Sequence, residues 1–514
     1  MHVNTRYTTR VALVVAIGGF LMGFEASVVS GVVTFIVAEF DLSRIELGWA
    51  VASLTLTATM AMMLAGPLSD RIGRRPVLMI AALLFMASAI AAAAAPAIAT
   101  LVAARMIGGV AVGAALIVAP MYIAEISPAH LRGRTVSLNQ LNIVIGISAA
   151  FFSNYLILEL GHSDLATALN LGEANWRAML GIESLPALLY FLALFTVPES
   201  PRWLAMHGQL ERARRVLESF CGRERAGVDL SAIRASLETR VEPGFRELFQ
   251  PSMKLVLIIG ASVAVLQQIT GINAIFFYAP MIFEQSGIGT DASFMQAVLV
   301  GLVNLGFTLL AISQIDRLGR RPLLGFGLTG IAVCMLLLSY GFGSATYALG
   351  GEDVAAQSAL QPLLGGTWHS DVEFRQAVVA VVGSEFWQSH QSEIVSAAID
   401  MNASLILFGV LGFVASFAIS IGPVMWVLFS ELFPNRLRGV AISFVGFINS
   451  AVSFSVQLVF PWELERIGNS GTFLIYALFA IAGLVIVMRV LPETNGRSLE
   501  ELEAKLVGQR GSTP

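Results

Sequence analysis

Apolar stretches recur along the whole chain, near 10–37, 45–67, 77–95, 98–122, 137–160, 176–197, 253–284, 294–314, 322–344, 402–430, 438–461 and 469–490. A helix rises about 1.5 Å per residue and a hydrocarbon core is about 30 Å thick, so each stretch is long enough to cross a bilayer. The pattern predicts an all-α membrane protein of twelve transmembrane helices in two sets of six. The polar stretch between the sets is amphipathic and rich in Arg, which predicts short surface helices. The expected divisions are a first half at 1–197, a linker at 198–252, a second half at 253–491 with an insertion at 345–400, and a tail at 492–514.

The two halves repeat each other. Leu68-Ser-Asp-Arg-Ile-Gly-Arg-Arg-Pro76 returns as Gln314-Ile-Asp-Arg-Leu-Gly-Arg-Arg-Pro322. Glu125-Ile-Ser-Pro-Ala-His-Leu-Arg-Gly-Arg134 matches Glu431-Leu-Phe-Pro-Asn-Arg-Leu-Arg-Gly439, and Pro198-Glu-Ser-Pro-Arg202 pairs more weakly with Pro492-Glu-Thr-Asn-Gly-Arg497. Duplicated helical bundles of this sort move small solutes across bilayers.

Composition agrees with a membrane chain. Of 514 residues, 56% are hydrophobic and only 13% charged, with a mean hydropathy of +0.76. A soluble fold could not hide that much apolar surface. The net charge of −4 decides little, because what matters is where the charges lie. Most Lys and Arg fall in the loops at 69–76, 125–134, 198–252, 315–321 and 435–438, which places these loops, the linker and both termini in the cytoplasm of a cell membrane. The acidic insertion 345–400 is then external; Trp368 and Trp387 suggest some ordered structure there, and it reads as a solvated insertion rather than a binding lid. Arg6 and Arg10 precede an apolar run too long for a cleaved leader, so the run reads as the first span. No basic stripe suits nucleic acid, and Cys221 and Cys334 make no disulfide framework. The six histidines lie in termini or loops, without metal spacing or a nucleophile arrangement, so no enzyme activity, metal or cofactor is expected.

Three ionisable residues interrupt the spans: Glu25 in the first, Arg105 in the fourth and Glu183 in the sixth. Each costs about 2.5–3.5 kcal/mol at a bilayer centre on insertion scales, so each needs a partner or a watery cavity. Counting about 1.5 Å per residue from the outer face puts them roughly 16, 12 and 10 Å deep. Two acids and one base at a common level predict a mutually compensating cluster. An opposite charge favours an ionised carboxyl and burial favours a neutral one. A motion that separates Glu25 from Arg105 would therefore capture or release a proton. A static ion pair that only fixes helix packing is the alternative.

The second half offers neutral polar groups instead. Gln267, Gln268 and Asn273 cluster around the breaker Gly271, with Tyr278 beyond them; Asn304, Trp426 after Gly422-Pro423, and Asn449 lie on other helices. Amides both donate and accept, and an indole face covers an apolar ring, a combination suited to a neutral polyhydroxylated ligand. Singly, each amide also serves as interhelical glue.

At the cytoplasmic loops, Asp70 and Arg74, Glu125 and Arg132, Glu199 and Arg202, Asp316 and Arg320, and Glu431 and Arg438 place acids and bases at matched positions. Beyond anchoring topology, they are expected to form a charge latch between the halves.

These residues resemble the sugar porter family of the major facilitator superfamily. The strings that carry the resemblance are GGFLMGFEASVVSG (18–31), LSDRIGRRP, AARMIGG (103–109), PMYIAEISPAHLRGR (120–134), PESPRWL (198–204), QQITGINAIFFYAP (267–280), GPVMWVLFSELFPNRLRG (422–439) and LPETNGRSLEELE (491–503). They occur in order over the whole chain outside 345–400. The resemblance implies two six-helix halves, alternating access and a central monosaccharide or polyol site. It implies a proton carrier at Glu25 with partners Arg105 and Glu183, and sugar contacts at Gln267, Gln268, Asn273, Asn304 and Trp426, with Tyr278 among the aromatics. Three positions depart from the pattern: Ile147 after Gly146 where Gln is common, Ser450 after Asn449 where Trp is common, and Glu rather than Asp at 25. Losing one hydrogen bond is worth about 1 kcal/mol. The expected function is proton-coupled symport of a hexose or pentose by a monomer whose partners are sugar, protons and lipid. An uncoupled facilitator and a polyol or inositol carrier are the alternatives. A membrane nutrient sensor is remote, given the short tail after Leu491.

Overall fold

The computed structural model describes residues 5–127, 132–162, 175–238, 245–350, 358–434, 437–491 and 493. Twelve of its helical segments are long and apolar enough to cross a membrane, from Arg6–Gly31 to Gly468–Val490. The first set comprises α1 (Thr5–Val28) with a short continuation α2 (Val33–Phe40), α3 (Arg44–Ile72), α4 (Arg74–Ala93), α5 (Ile98–Ile126), α6 (Arg132–Gly161), and α7 (Asn175–Gly181) with α8 (Ser184–Leu194). The linker folds as α9 (Pro201–Met206), α10 (Leu210–Cys221) and α11 (Arg223–Glu238). The second set begins with α12 (Lys254–Ile269), α13 (Ile272–Glu284), α14 (Thr290–Leu318) and α15 (Arg320–Gly343). The insertion contributes α16 (Asp371–Val382) and α17 (Ser384–Ala398), and the chain closes with α18 (Ala403–Ile419), α19 (Ile421–Leu432), α20 (Arg438–Arg466) and α21 (Gly468–Val490).

Several spans are broken where local chemistry demands it. The first stops at a single 3₁₀ turn, Val29–Gly31, before α2, which ends on Asp41 in the left-handed conformation at φ 48°. The sixth is interrupted between Gly181 and Ser184. The seventh breaks at Gly271, whose φ of +92° suits a residue without Cβ, and a Cβ there would meet the Tyr476 ring at 2.6 Å. The tenth breaks at Ser420, just before Gly422-Pro423, where proline removes a helix donor.

By packing, the chain forms two compact units. One comprises Met1–Val28, Ser53–Ala150 and Arg177–Glu242; the other comprises Val29–Ala52, Phe151–Trp176 and Pro243–Pro514. The first unit's core sets small residues such as Ala81, Ala82, Ala111 and Ala115 against Phe85, Tyr122 and Tyr190, so backbones approach closely. On α10 the buried face is Ala213, Leu217 and Phe220, and the Phe220 ring lies 5.1 Å from that of Tyr7.

The insertion has its own small core of Tyr347, Leu360, Phe374, Val378, Trp387 and Ile394. Three short strands join it, β1 (Thr346–Ala348), β2 (Thr367–Trp368) and β3 (Ile399–Asp400), antiparallel in the order β2-β1-β3 with Tyr347 opposite both Trp368 and Ile399. The aromatic signal at Trp368 and Trp387 thus marks a packed miniature domain, with a small sheet that apolar periodicity did not foretell.

Candidate functional site

The intramembrane charges meet in the first unit. Glu25 of α1, Arg105 of α5 and Glu183 between α7 and α8 are all at least 97% buried. Arg105 Nη1 stands 3.9 Å from Glu25 Oε1. Ser88 of α4 donates to the Ala104 carbonyl at 3.0 Å and lies 3.3 Å from the same Glu25 oxygen. Glu183 is buried in the same unit, within electrostatic reach of both Glu25 and Arg105. Space for the cluster comes from Gly108, where a Cβ would lie 2.5 Å from Glu25 Oε1 and 2.6 Å from Ser88 Oγ.

The amides gather in the second unit. Gln268 Nε2 donates to Gln267 Oε1 at 3.2 Å and Asn449 Oδ1 at 3.1 Å. Asn449 Nδ2 donates to Gln267 Oε1 at 2.7 Å and the Ala264 carbonyl at 2.9 Å. Beyond the Gly271 break, Asn273 Nδ2 donates to Gln268 Oε1 at 2.7 Å and Ser453 Oγ at 2.6 Å, and Gln457 Nε2 donates to the same Ser453 oxygen at 2.7 Å. One network therefore joins α12, α13 and α20. Tyr278 is fully buried with its hydroxyl on the Gln457 carbonyl at 3.0 Å. Asn304 is buried in α14. Trp426 is 39% exposed and edge-on to Phe429 at 6.0 Å, and neither is bonded into the network as described.

On the linker side, Arg74 donates to Glu125 through Nε at 3.2 Å and Nη2 at 3.1 Å, and pairs with Asp70 at 2.8 Å. In the second unit Arg320 donates to Glu431 in the same way. Each arginine opens a helix, and a second carboxylate receives the helix's free N–H groups. Glu199 accepts from Arg74 and Arg75, and Glu493 accepts from Arg320 and Arg321 at 3.0 Å each. Gly73 (φ +107°) and Gly319 (φ +85°) form the turns, and a side chain at either would strike that carboxylate. Burial raises the Glu199 carboxyl above the usual range, against the three N–H groups that favour its charged form.

Within the first unit Arg74 pairs with Glu125 and Asp70, and within the second Arg320 pairs with Glu431. Glu125 is held by Arg74 and Ser200, and Arg438 Nε donates to the Phe433 carbonyl at 3.3 Å while Glu431 goes to Arg320. Arg202 lines a linker-side cavity of about 640 Å³ with Asp70 and Glu125. The side chains of Arg132 and Asp316 lie outside the described residues. Ser88, Ser453, Gln457 and Glu493 were not singled out from the sequence. Glu493 alone left a signal, as the counterpart of Glu199 in the repeated Pro-Glu dipeptides.

Known proteins place this architecture. The family model described as Sugar (and other) transporter matches residues 11–357 and 376–506. The D-xylose-proton symporter of Escherichia coli (strain K12) is 33% identical, with 98% of this chain and 96% of that protein covered. The arabinose-proton symporter of Bacillus subtilis (strain 168) is 32% identical over 95% of this chain and 92% of its own. A solved structure of the E. coli xylose transporter in an inward-open conformation superposes with a TM-score of 0.75 at 31% identity, covering 97% of this chain and all of that one. A partially occluded inward-open structure gives 0.74 at 30%, covering 96% of this chain and all of that one. The chain is a multi-pass membrane protein that belongs to the sugar transporter family of the major facilitator superfamily, a family of transporters rather than enzymes.

Proposed function

We propose that the protein carries a monosaccharide, a hexose or pentose, together with protons, by alternating access. The observation that carries this reading is the buried pair of Arg105 and Glu25, with Glu183 buried in the same unit. A carboxyl buried beside a guanidinium offers a place for an exchangeable proton inside the bilayer. A change in the distance to Arg105 alters how firmly that proton is held. The relatives named as sugar-proton symporters support the same coupling.

In this reading the amides of α12, α13 and α20 receive the sugar. Gln267, Gln268, Asn273 and Asn449 already satisfy one another, so sugar hydroxyls replace existing hydrogen bonds without leaving a buried amide unpaired. Asn304 and Trp426 complete the contacts, and the ring of Trp426 supplies an apolar face. The linker and both termini lie in the cytoplasm of the cell membrane, where Arg74–Glu125 and Arg320–Glu431 stiffen the inner end of each half. The working unit is the monomer.

The test is transport by Glu25→Gln protein in proteoliposomes. Uphill accumulation driven by an inward proton gradient is expected to vanish while exchange of bound sugar across the membrane persists. Continued accumulation by this variant would refute coupling through Glu25. An uncoupled facilitator would instead show no gradient-driven accumulation in the unsubstituted protein.

A further inference from the structure

On the face that carries the insertion, the second unit joins distant parts of the chain. Thr34 of α2 donates to Glu284 of α13 at 3.2 Å, the Trp49 ring of α3 lies 5.7 Å from Phe454 of α20, and Gly48 approaches the Leu458 carbonyl too closely for any side chain. Ends of the first set of helices are thus packed against the second set there. The miniature domain of residues 345–400 lies on the same face, and Arg44, the first residue of α3, reaches it: Nη2 donates to Gln391 Oε1 of α17 at 3.4 Å.

The insertion itself is tied to the second set by firmer bonds. Asp371 accepts from the Asn469 backbone N–H at 2.9 Å and from its Nδ2 at 2.8 Å, at the start of α21. Arg375 donates to the Glu465 carbonyl at the end of α20, and Ser396 donates to the Gly287 carbonyl at 2.9 Å. Arg44 is held more weakly. Its seat is a cavity of about 40 Å³ lined by Gln285, Arg375, Trp387, Gln391 and Glu465. Arg375 already stands 3.9 Å from the Glu465 carboxylate, so two guanidiniums compete for one nearby acid while Asp371 is committed to Asn469. Trp387 Nε1 and Gln285 Oε1 face this region without protein partners among the described residues. One long hydrogen bond to a neutral amide plus a shared anion make a reversible hold.

We propose that the insertion is an external gate element: it rides on the second half and holds the start of α3 closed through Arg44, which must leave its seat for that side to open. This rests on the alternating-access reading above. It replaces the view of 345–400 as a passive solvated insertion.

The test needs no substrate, so it can fail while sugar transport stands, and it can succeed whatever the cargo. Nitroxide labels are placed at the exposed positions Ile45→Cys and Val381→Cys in full-length Cys221→Ser, Cys334→Ser protein in nanodiscs, and their separation is read by double electron–electron resonance. Arg44→Ala and Gln391→Ala are each expected to raise the ratio of long-distance to short-distance population by about three- to ten-fold, as loss of one net hydrogen bond requires. Gln391→Glu turns the bond into an ion pair and is expected to lower that ratio. Because the last variant adds a contact, a folding defect cannot imitate its effect. Distance distributions that all three variants leave unchanged would overturn the proposal.

Discussion

Arg320 grips Glu431 with one edge of its guanidinium, Nε on Oε2 at 3.2 Å and Nη2 on Oε1 at 2.7 Å. Arg74 repeats the geometry on Glu125 at 3.2 and 3.1 Å, so the duplication visible in the sequence is a duplication of bonding. A planar fork matches a carboxylate in a way that an ammonium cannot. Arg320→Lys is therefore expected to cost about 1–3 kcal/mol, read as a lower thermal midpoint of the purified protein. Arg317→Lys, at an exposed position, is expected to change it by less than about 0.5 kcal/mol.

Gly108 tests the space around the proposed proton site at Glu25. Gly108→Ala would drive a methyl group into Glu25 and Ser88 and is expected to abolish proton-driven uptake and lower the thermal midpoint. Gly306 sits in α14 with open space around its missing Cβ. Gly306→Ala is expected to leave uptake intact and to stabilise the protein by up to about 1 kcal/mol. Equal effects from both would show that the crowding at Gly108 is immaterial.

Ser453 and Gln457 act on the amide network from behind. Ser453 Oγ receives both Asn273 Nδ2 and Gln457 Nε2, so Ser453→Ala releases Asn273 from its orientation. Sugar affinity measured by equilibrium binding is expected to fall about three- to ten-fold. Ser443→Ala, an exposed position on the same helix, is expected to leave it unchanged.

Cys221, at the end of α10 in the linker, has its thiol pushed up to about 11, first by burial and then by the Asp229 charge. Only the thiolate reacts with alkylating reagents. In Cys334→Ser protein, iodoacetamide labelling of Cys221 at pH 7.5 is expected to be roughly 300-fold slower than for an ordinary thiol of pKa about 8.5, in proportion to its thiolate fraction. Its rate should keep climbing about ten-fold per pH unit beyond pH 9, where an ordinary thiol levels off. A plateau near pH 8.5 would contradict the buried environment.

The sequence alone determined the twelve spans, the repeated linker-side motifs and the ionic trio. Runs of apolar residues, and charges that interrupt them, carry a cost too large to be accidental. The partners of neutral polar residues were not legible. Ser453 and Gln457 are ordinary in an apolar helix, where a hydroxyl or amide satisfies its own backbone as readily as a neighbour, and only the approach of α13 to α20 makes them supports for Asn273. That the Tyr278 hydroxyl goes to the Gln457 carbonyl was likewise not legible along the chain. Pairing among the many loop charges also needed three dimensions, since several arginines lie within reach of each acid along the chain. The reach of Arg44 into a domain more than three hundred residues away has no sequence signal at all, because long-range contacts are set by how helices pack and not by the period of any one helix.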